Sequence, residues 1–177
     1  MSIRKWVFLW GMPGSGKSTL GKNVAAKLKF TWLDLDSIIE NGEKKSISDL
    51  FQLVGEDEFR RIEKNYLQQG SFPDLMILSC GGGTPAFFDN VDYMKKHGTC
   101  VYLKCSASFL ASRLKEDAQN RPLLKDKQGS ELVEKLQEIL ETRKAFYECA
   151  DITLQLPASR PDSELVDILL NLKWGEK

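Results

Sequence analysis

Residues 11–18 read Gly-Met-Pro-Gly-Ser-Gly-Lys-Ser, and no other stretch restricts the fold of this chain as tightly. The string fits G-x-x-x-x-G-K-[ST], the P-loop, at Gly11, Gly16, Lys17 and Ser18. A loop of this kind needs a strand before it and a helix after it. Trp6-Val-Phe-Leu-Trp10 is a short apolar run suited to a buried strand. Residues 17–28 follow, with Leu20, Val24 and Leu28 at helical spacing. Glycines let the backbone curl so that its N–H groups converge, and the new helix adds the positive end of its dipole. Gly14, Ser15, Gly16, Lys17, Ser18 and Thr19 are therefore expected to cradle a nucleoside triphosphate. Lys17 would reach the β- and γ-phosphates, and the Ser18 hydroxyl would ligate Mg²⁺.

The rest of the chain repeats the strand–helix alternation. Apolar strand-like runs recur at 6–10, 31–35, 75–79, 100–104 and 152–156. Helical patterns lie at 17–28, 37–53, 56–70, 106–117, 130–149 and 162–173. This predicts one domain over 1–177, a three-layer α/β/α fold around a mostly parallel five-stranded sheet. Ligands of such sheets bind at the carboxyl ends of the strands. The unusual residues fall there: the P-loop after the first strand, Asp34 and Asp36 after the second, Gly81-Gly82-Gly83 after the third. Residues 117–130 are polar and without periodicity, a loop long enough to be expected as a mobile lid. The helical region at about 36–70 would bind whatever receives the phosphoryl group.

Charge and cysteine usage narrow the function classes. With 25 basic and 25 acidic residues the net charge is zero, which disfavours nucleic-acid binding through a broad basic surface. No stretch approaches the ~20 apolar residues of a membrane span. The N-terminal apolar run is short and leads straight into the P-loop, unlike a signal peptide. None of Cys80, Cys100, Cys105 and Cys149 shows C-x-x-C spacing, so neither a zinc site nor a dithiol redox motif is indicated. Cys100 and Cys105 read as small buried hydrophobes, and Cys80 beside the glycines could be reactive. A cytoplasmic monomer with reduced thiols is expected.

Four further groups carry chemistry, each with a plainer reading beside it. Asp34 and Asp36 would share one side of an extended chain, one carboxylate near Mg²⁺ and one accepting a proton from a hydroxyl; alternatively Asp36 caps a helix starting at Ser37. Arg60 and Glu63 are i,i+3 neighbours, either a surface ion pair or an arginine held ready for a substrate carboxylate. Gly81 to Gly83 are either a flexible turn or a place where a ligand approaches the backbone. Arg121 in the lid could neutralise charge on the transferring phosphoryl group. Arg143 shares a helix face with Tyr147 and is either a site residue or a cation suited to the helix C-terminus. His97, the sole histidine, precedes Gly98 at an apparent helix end and reads as a C-terminal residue.

In order, GMPGSGKST, LDLDS, FRRIE, SCGGGTP, RPLL and RKAFY resemble the shikimate kinase family from Gly11 to at least Tyr147. The resemblance implies transfer of the γ-phosphoryl group of ATP to the 3-hydroxyl of shikimate. It implies that Asp36 binds the shikimate hydroxyls and acts as base, and that Asp34 helps hold Mg²⁺. Arg60 and Arg143 would bind the shikimate carboxylate, with Gly81, Gly82 and Gly83 lining the pocket. Arg121 would contact phosphate. Arg113 would stack on adenine, whose other face would meet the loop Pro157-Ala-Ser-Arg160-Pro161. Where many P-loop proteins end the third strand in aspartate, this chain has Ser79, as shikimate kinases do. The alternatives are another small-molecule kinase, with gluconate or a nucleoside monophosphate as acceptor, or a non-catalytic nucleotide-binding regulator. Two carboxylate-binding arginines disfavour a neutral-sugar acceptor.

Overall fold

The computed structural model describes residues 5–114, 123–124 and 127–172. Its order is β1 (Lys5–Trp10), α1 (Lys17–Leu28), β2 (Thr31–Asp34), α2 (Leu35–Glu43), α3 (Ile47–Gln69), β3 (Leu75–Ser79), α4 (Asn90–His97), β4 (Thr99–Lys104), α5 (Ala107–Leu114), α6 (Gly129–Tyr147), β5 (Ile152–Gln155) and α7 (Pro161–Leu170). A single 3₁₀ turn, Thr84–Ala86, separates β3 from α4. The five strands form one sheet in the order β2-β3-β1-β4-β5, parallel at every pairing. Central β1 is apolar along its length because both faces are covered: Val7 to Trp10 have no exposure. Met76 to Leu78 of β3 and Cys100 to Leu103 of β4 flank it in the same core.

Between β3 and β4 the chain crosses from one side of β1 to the other. Ligands bind at such a switch point, outside the strands' carboxyl ends. Register places those ends side by side: Ser79 lies opposite both Leu9 and Asp34. The P-loop, the Asp34–Asp36 segment and the glycine triplet therefore leave the sheet along one rim.

Three expectations are corrected. The pattern at 37–53 is not one helix: α2 ends at Glu43, and α3 starts after Ser46, whose hydroxyl accepts from Asp49 N at 3.1 Å. α3 then runs on past residue 53, broken only at Gly55, whose φ of 78° and ψ of 172° no helix contains. Asp34 and Asp36 do not share an extended strand. β2 stops at Asp34, which itself caps α2 by accepting from Ser37 N at 3.4 Å, and Asp36 lies in the first turn. The cap is thus Asp34, not Asp36. The expected helical patterns omitted the span of α4, but His97 does stand at a helix end, as read: it closes α4 and donates from Nδ1 to the Tyr93 carbonyl at 2.7 Å. Among the described residues no helix is long and apolar enough to cross a membrane.

Candidate active site

The P-loop closes onto α1 at Gly16, whose φ of 93° is left-handed and favours glycine. No side chain caps this helix and its first turn holds no acidic residue, so its N–H groups and dipole face the cleft. Lys17 Nζ donates to the carbonyls of Gly11 and Met12 at 3.0 and 3.1 Å, arching over its own loop. Ser18 Oγ donates to Asp34 Oδ2 at 2.9 Å. The cap of α2 and the first turn of α1 are therefore joined by a hydroxyl and a carboxylate, two hard oxygens.

Three adjoining cavities share boundary residues. A cleft of about 290 Å³ is walled by the P-loop, Asp34, Asp36, Cys80, Gly81 and Arg113. Beyond Arg113 a groove of about 200 Å³ runs between Phe109 of α5 and Leu156, Pro157 and Ala158. On the other side a cleft of about 250 Å³ is lined by Arg60, Arg143, Asp36, Phe51, Phe59 and Leu124 among others. Arg113 borders both the first and the second. Pro13, Asp36, Gly81 and Gly82 border both the first and the third. The three make a track from the groove beside Phe109, past the P-loop, to a pocket with two arginines.

Arg60 is not a surface ion-pair residue: it is 4% exposed and Glu63 is fully buried. Arg60 donates from one terminal nitrogen to Glu63 at 2.9 Å and from the other to Glu56 at 3.1 Å. Glu63 also accepts from Thr84 Oγ1 at 2.6 Å. Phe51, Phe59 and Phe87 enclose the guanidinium, their ring centroids 5.5, 5.2 and 4.5 Å from its carbon. Arg60 Nε is buried with no hydrogen-bond partner among the described residues. A buried cationic donor left open is costly unless something anionic fills it. Gly83 is required by space and not by torsion: its φ is −90°, but a side chain there would run into the Arg60 guanidinium.

Arg143 is 8% exposed on α6 and turned into the same cleft, so it is no simple helix-end cation. Cys80 is buried, and burial first, then the Glu63 carboxylate, pushes its thiol well up, away from reactivity. Cys100 and Cys105 are buried as expected. Arg160 stands exposed at the N-cap of α7, outside the lining of the groove that Pro157 and Ala158 enter. Arg121 and most of the expected lid lie outside the described residues; Leu123 and Leu124, from the same segment, line the acceptor-side cleft. Sequence reading missed the aromatic enclosure, Glu56 and Thr84. Glu56 was legible as an i,i+4 partner of Arg60. Nothing in the sequence brings Phe87 or Thr84 to α3.

A parallel sheet, a P-loop and an adjoining pocket built for a small anion define an ATP-dependent phosphotransferase acting on a small acid. The shikimate kinase family profile matches residues 13–172. A shikimate kinase of Parabacteroides distasonis is 43% identical over 164 residues, 93% of this chain and 95% of that one. The crystal structure of shikimate kinase from Bacteroides thetaiotaomicron superposes with a TM-score of 0.84 at 35% identity, covering 93% of this chain and 96% of that one. Shikimate kinase from Acinetobacter baumannii in complex with shikimate gives 0.86 at 29% identity, with 97% of each chain covered. The chain belongs to the shikimate kinase family.

Proposed function

We propose that this chain transfers the γ-phosphoryl group of ATP to the 3-hydroxyl of shikimate, with the residues above in defined roles. One observation carries the assignment of roles: Asp36 borders both the P-loop cleft and the arginine-lined cleft. A group there can meet an acceptor hydroxyl and the phosphate it attacks. The Asp36 carboxylate takes the hydroxyl proton as the oxygen attacks in line. Arg60 and Arg143, both lining that cleft, hold the acceptor carboxylate, and the two fix the ring's orientation. Main-chain N–H groups at Gly14 to Thr19 hold the phosphates. Lys17 spreads its charge over the β- and γ-phosphate oxygens. Arg113 and the Pro157–Ala158 turn flank the base, and Arg121 adds charge from the lid.

Ser18 and Asp34 suit Mg²⁺, whose usual site is one or two protein oxygens plus substrate phosphates. When bound, Mg²⁺ neutralises charge on the β- and γ-phosphates. The chain works as one domain, as a monomer in the cytoplasm.

The test is ADP release with ATP and Mg²⁺, with shikimate, gluconate or a nucleoside monophosphate as acceptor. Stimulation by shikimate alone is expected; equal stimulation by another acceptor would refute the assignment. Asp36→Asn should then lower kcat by about 10²- to 10⁴-fold, with shikimate still bound. Full activity in a folded Asp36→Asn chain would remove Asp36 as base.

A further inference from the structure

Tyr147 has no part in the chemistry above, yet its hydroxyl sits where the two clefts meet. The residue is fully buried at the end of α6. Its O–H donates to the Gly82 carbonyl at 2.5 Å and lies 3.5 Å from Met12 Sδ of the P-loop. The guanidinium of Arg143, one helical turn earlier, lies against the same glycine. One oxygen thus joins the phosphate loop and the glycine triplet, beside an arginine of the acceptor cleft.

The ring itself is fixed from behind. Trp10 Nε1 donates to the Tyr147 carbonyl at 3.2 Å, and Tyr102 packs on the ring with centroids 5.0 Å apart. Gly82 has no slack in this arrangement. A Cβ there would lie 2.9 Å from Pro13 Cδ and 3.5 Å from an Arg143 terminal nitrogen. Gly82 and Pro13 form the wall common to the two clefts. Burial pushes the phenol up, toward its protonated, donating form. A phenylalanine would fill the same volume; the hydroxyl is needed only for what it bonds.

We propose that Tyr147 is a positioning residue for phosphoryl transfer: by holding the Gly82 carbonyl beside Arg143, its hydroxyl sets the acceptor's position against the phosphate track. The inference rests on the reading of the arginine-lined cleft as the acceptor site. The hydroxyl touches neither substrate. Without it, the Gly82 carbonyl loses its partner and the wall between the clefts is free to shift. Nucleotide binding, held by the start of α1, should be spared.

Tyr147→Phe in the full chain tests this. The KM for shikimate should rise roughly five- to thirtyfold, the loss of about one to two kcal/mol expected when a partly buried carbonyl is left without its donor. kcat should fall, the KM for ATP should hold within about twofold, and more than one ADP should appear per shikimate phosphate as water competes with a misplaced acceptor. Leu165→Ala, in the core under α7 and away from the acceptor cleft, serves as the stability control, lowering Tm without moving the KM for shikimate. Installing 4-aminophenylalanine at position 147 restores a donor to Gly82. It should fold and return both the ADP ratio and the KM for shikimate toward those of the unmodified chain, whether or not Tyr147→Phe folds. Unchanged kinetics in a folded Tyr147→Phe chain, or an equal rise in both KM values, would overturn the proposal. Arg143→Lys separates this from failure of the underlying reading. If Arg143→Lys leaves the KM for shikimate unchanged, the cleft is not the acceptor site and both readings fall. If Arg143→Lys raises it and Tyr147→Phe does not, only the positioning role falls.

Discussion

Arg60 shows how a charge becomes specific through its surroundings. Two carboxylates occupy its terminal nitrogens, three rings cover its faces, and its buried Nε has no hydrogen-bond partner among the described residues. A lysine at this position keeps the charge but not the planar fork, so it cannot serve Glu63 and an acceptor carboxylate together. Arg60→Lys should raise the KM for shikimate by about tenfold or more while leaving the KM for ATP unchanged. Steady-state titration of each substrate checks this, and a parallel rise in both would point to a general packing defect. The i,i+3 spacing of Arg60 and Glu63 was legible in the sequence. Whether that pair lay in water or in the core was not, because the ring that approaches it most closely comes from Phe87, beyond β3.

At the scale of elements, the break in α3 decides the shape of the acceptor cleft. Gly55 divides a helix whose first part carries Ile47 and Phe51 to the cleft and whose second part carries Phe59, Arg60 and Glu63. In an ordinary helix, replacing glycine by alanine stabilises. Here the sign reverses. There is space for the methyl group, since nothing lies within 4 Å of it, but φ 78° and ψ 172° are open almost solely to glycine. Gly55→Ala should cost about 1–3 kcal/mol, read as a lower Tm, and should raise the KM for shikimate but not for ATP. A gain in stability would show that the break is not intrinsic to the fold. Sequence periodicity put the division between two helices near the right residue. It did not show that α2 ends earlier, because a left-handed Lys44 at the C-cap of α2 carries no sequence signal as strong as glycine.

Across the whole molecule, the groups that stay neutral in the core set an alkaline limit. Burial is the leading cause that pushes up Tyr102, Tyr147, Cys80 and Cys105, the last to about 11. The unfolded chain releases these protons at ordinary values, about 8.5 for cysteine and 10 for tyrosine. Above pH ~8.5 the unfolded state therefore binds fewer protons than the folded one, and stability falls as pH rises. The loss should continue through about pH 11, where folded Cys105 itself ionises. Melting curves between pH 8 and 11 should show a steady fall in Tm. A constant Tm over that range would mean that these groups are not buried in solution.

Local chemistry is what the sequence determined by itself. A P-loop works through consecutive backbone N–H groups and the helix they begin, so its residues carry the whole signal within one short stretch. Strand and helix alternation likewise follows from nearest-neighbour patterning, and it placed five strands and the rim on which function gathers. The tertiary structure decided what depends on distant residues meeting. It placed Asp36 on the border of two clefts, made Asp34 the cap, buried Arg60 among rings from two separate segments, and brought the Tyr147 hydroxyl to Gly82, 65 positions away in the chain. Burial and hydrogen bonding across the sheet rim depend on how elements pack, and packing is a property of the assembled chain that no single stretch encodes.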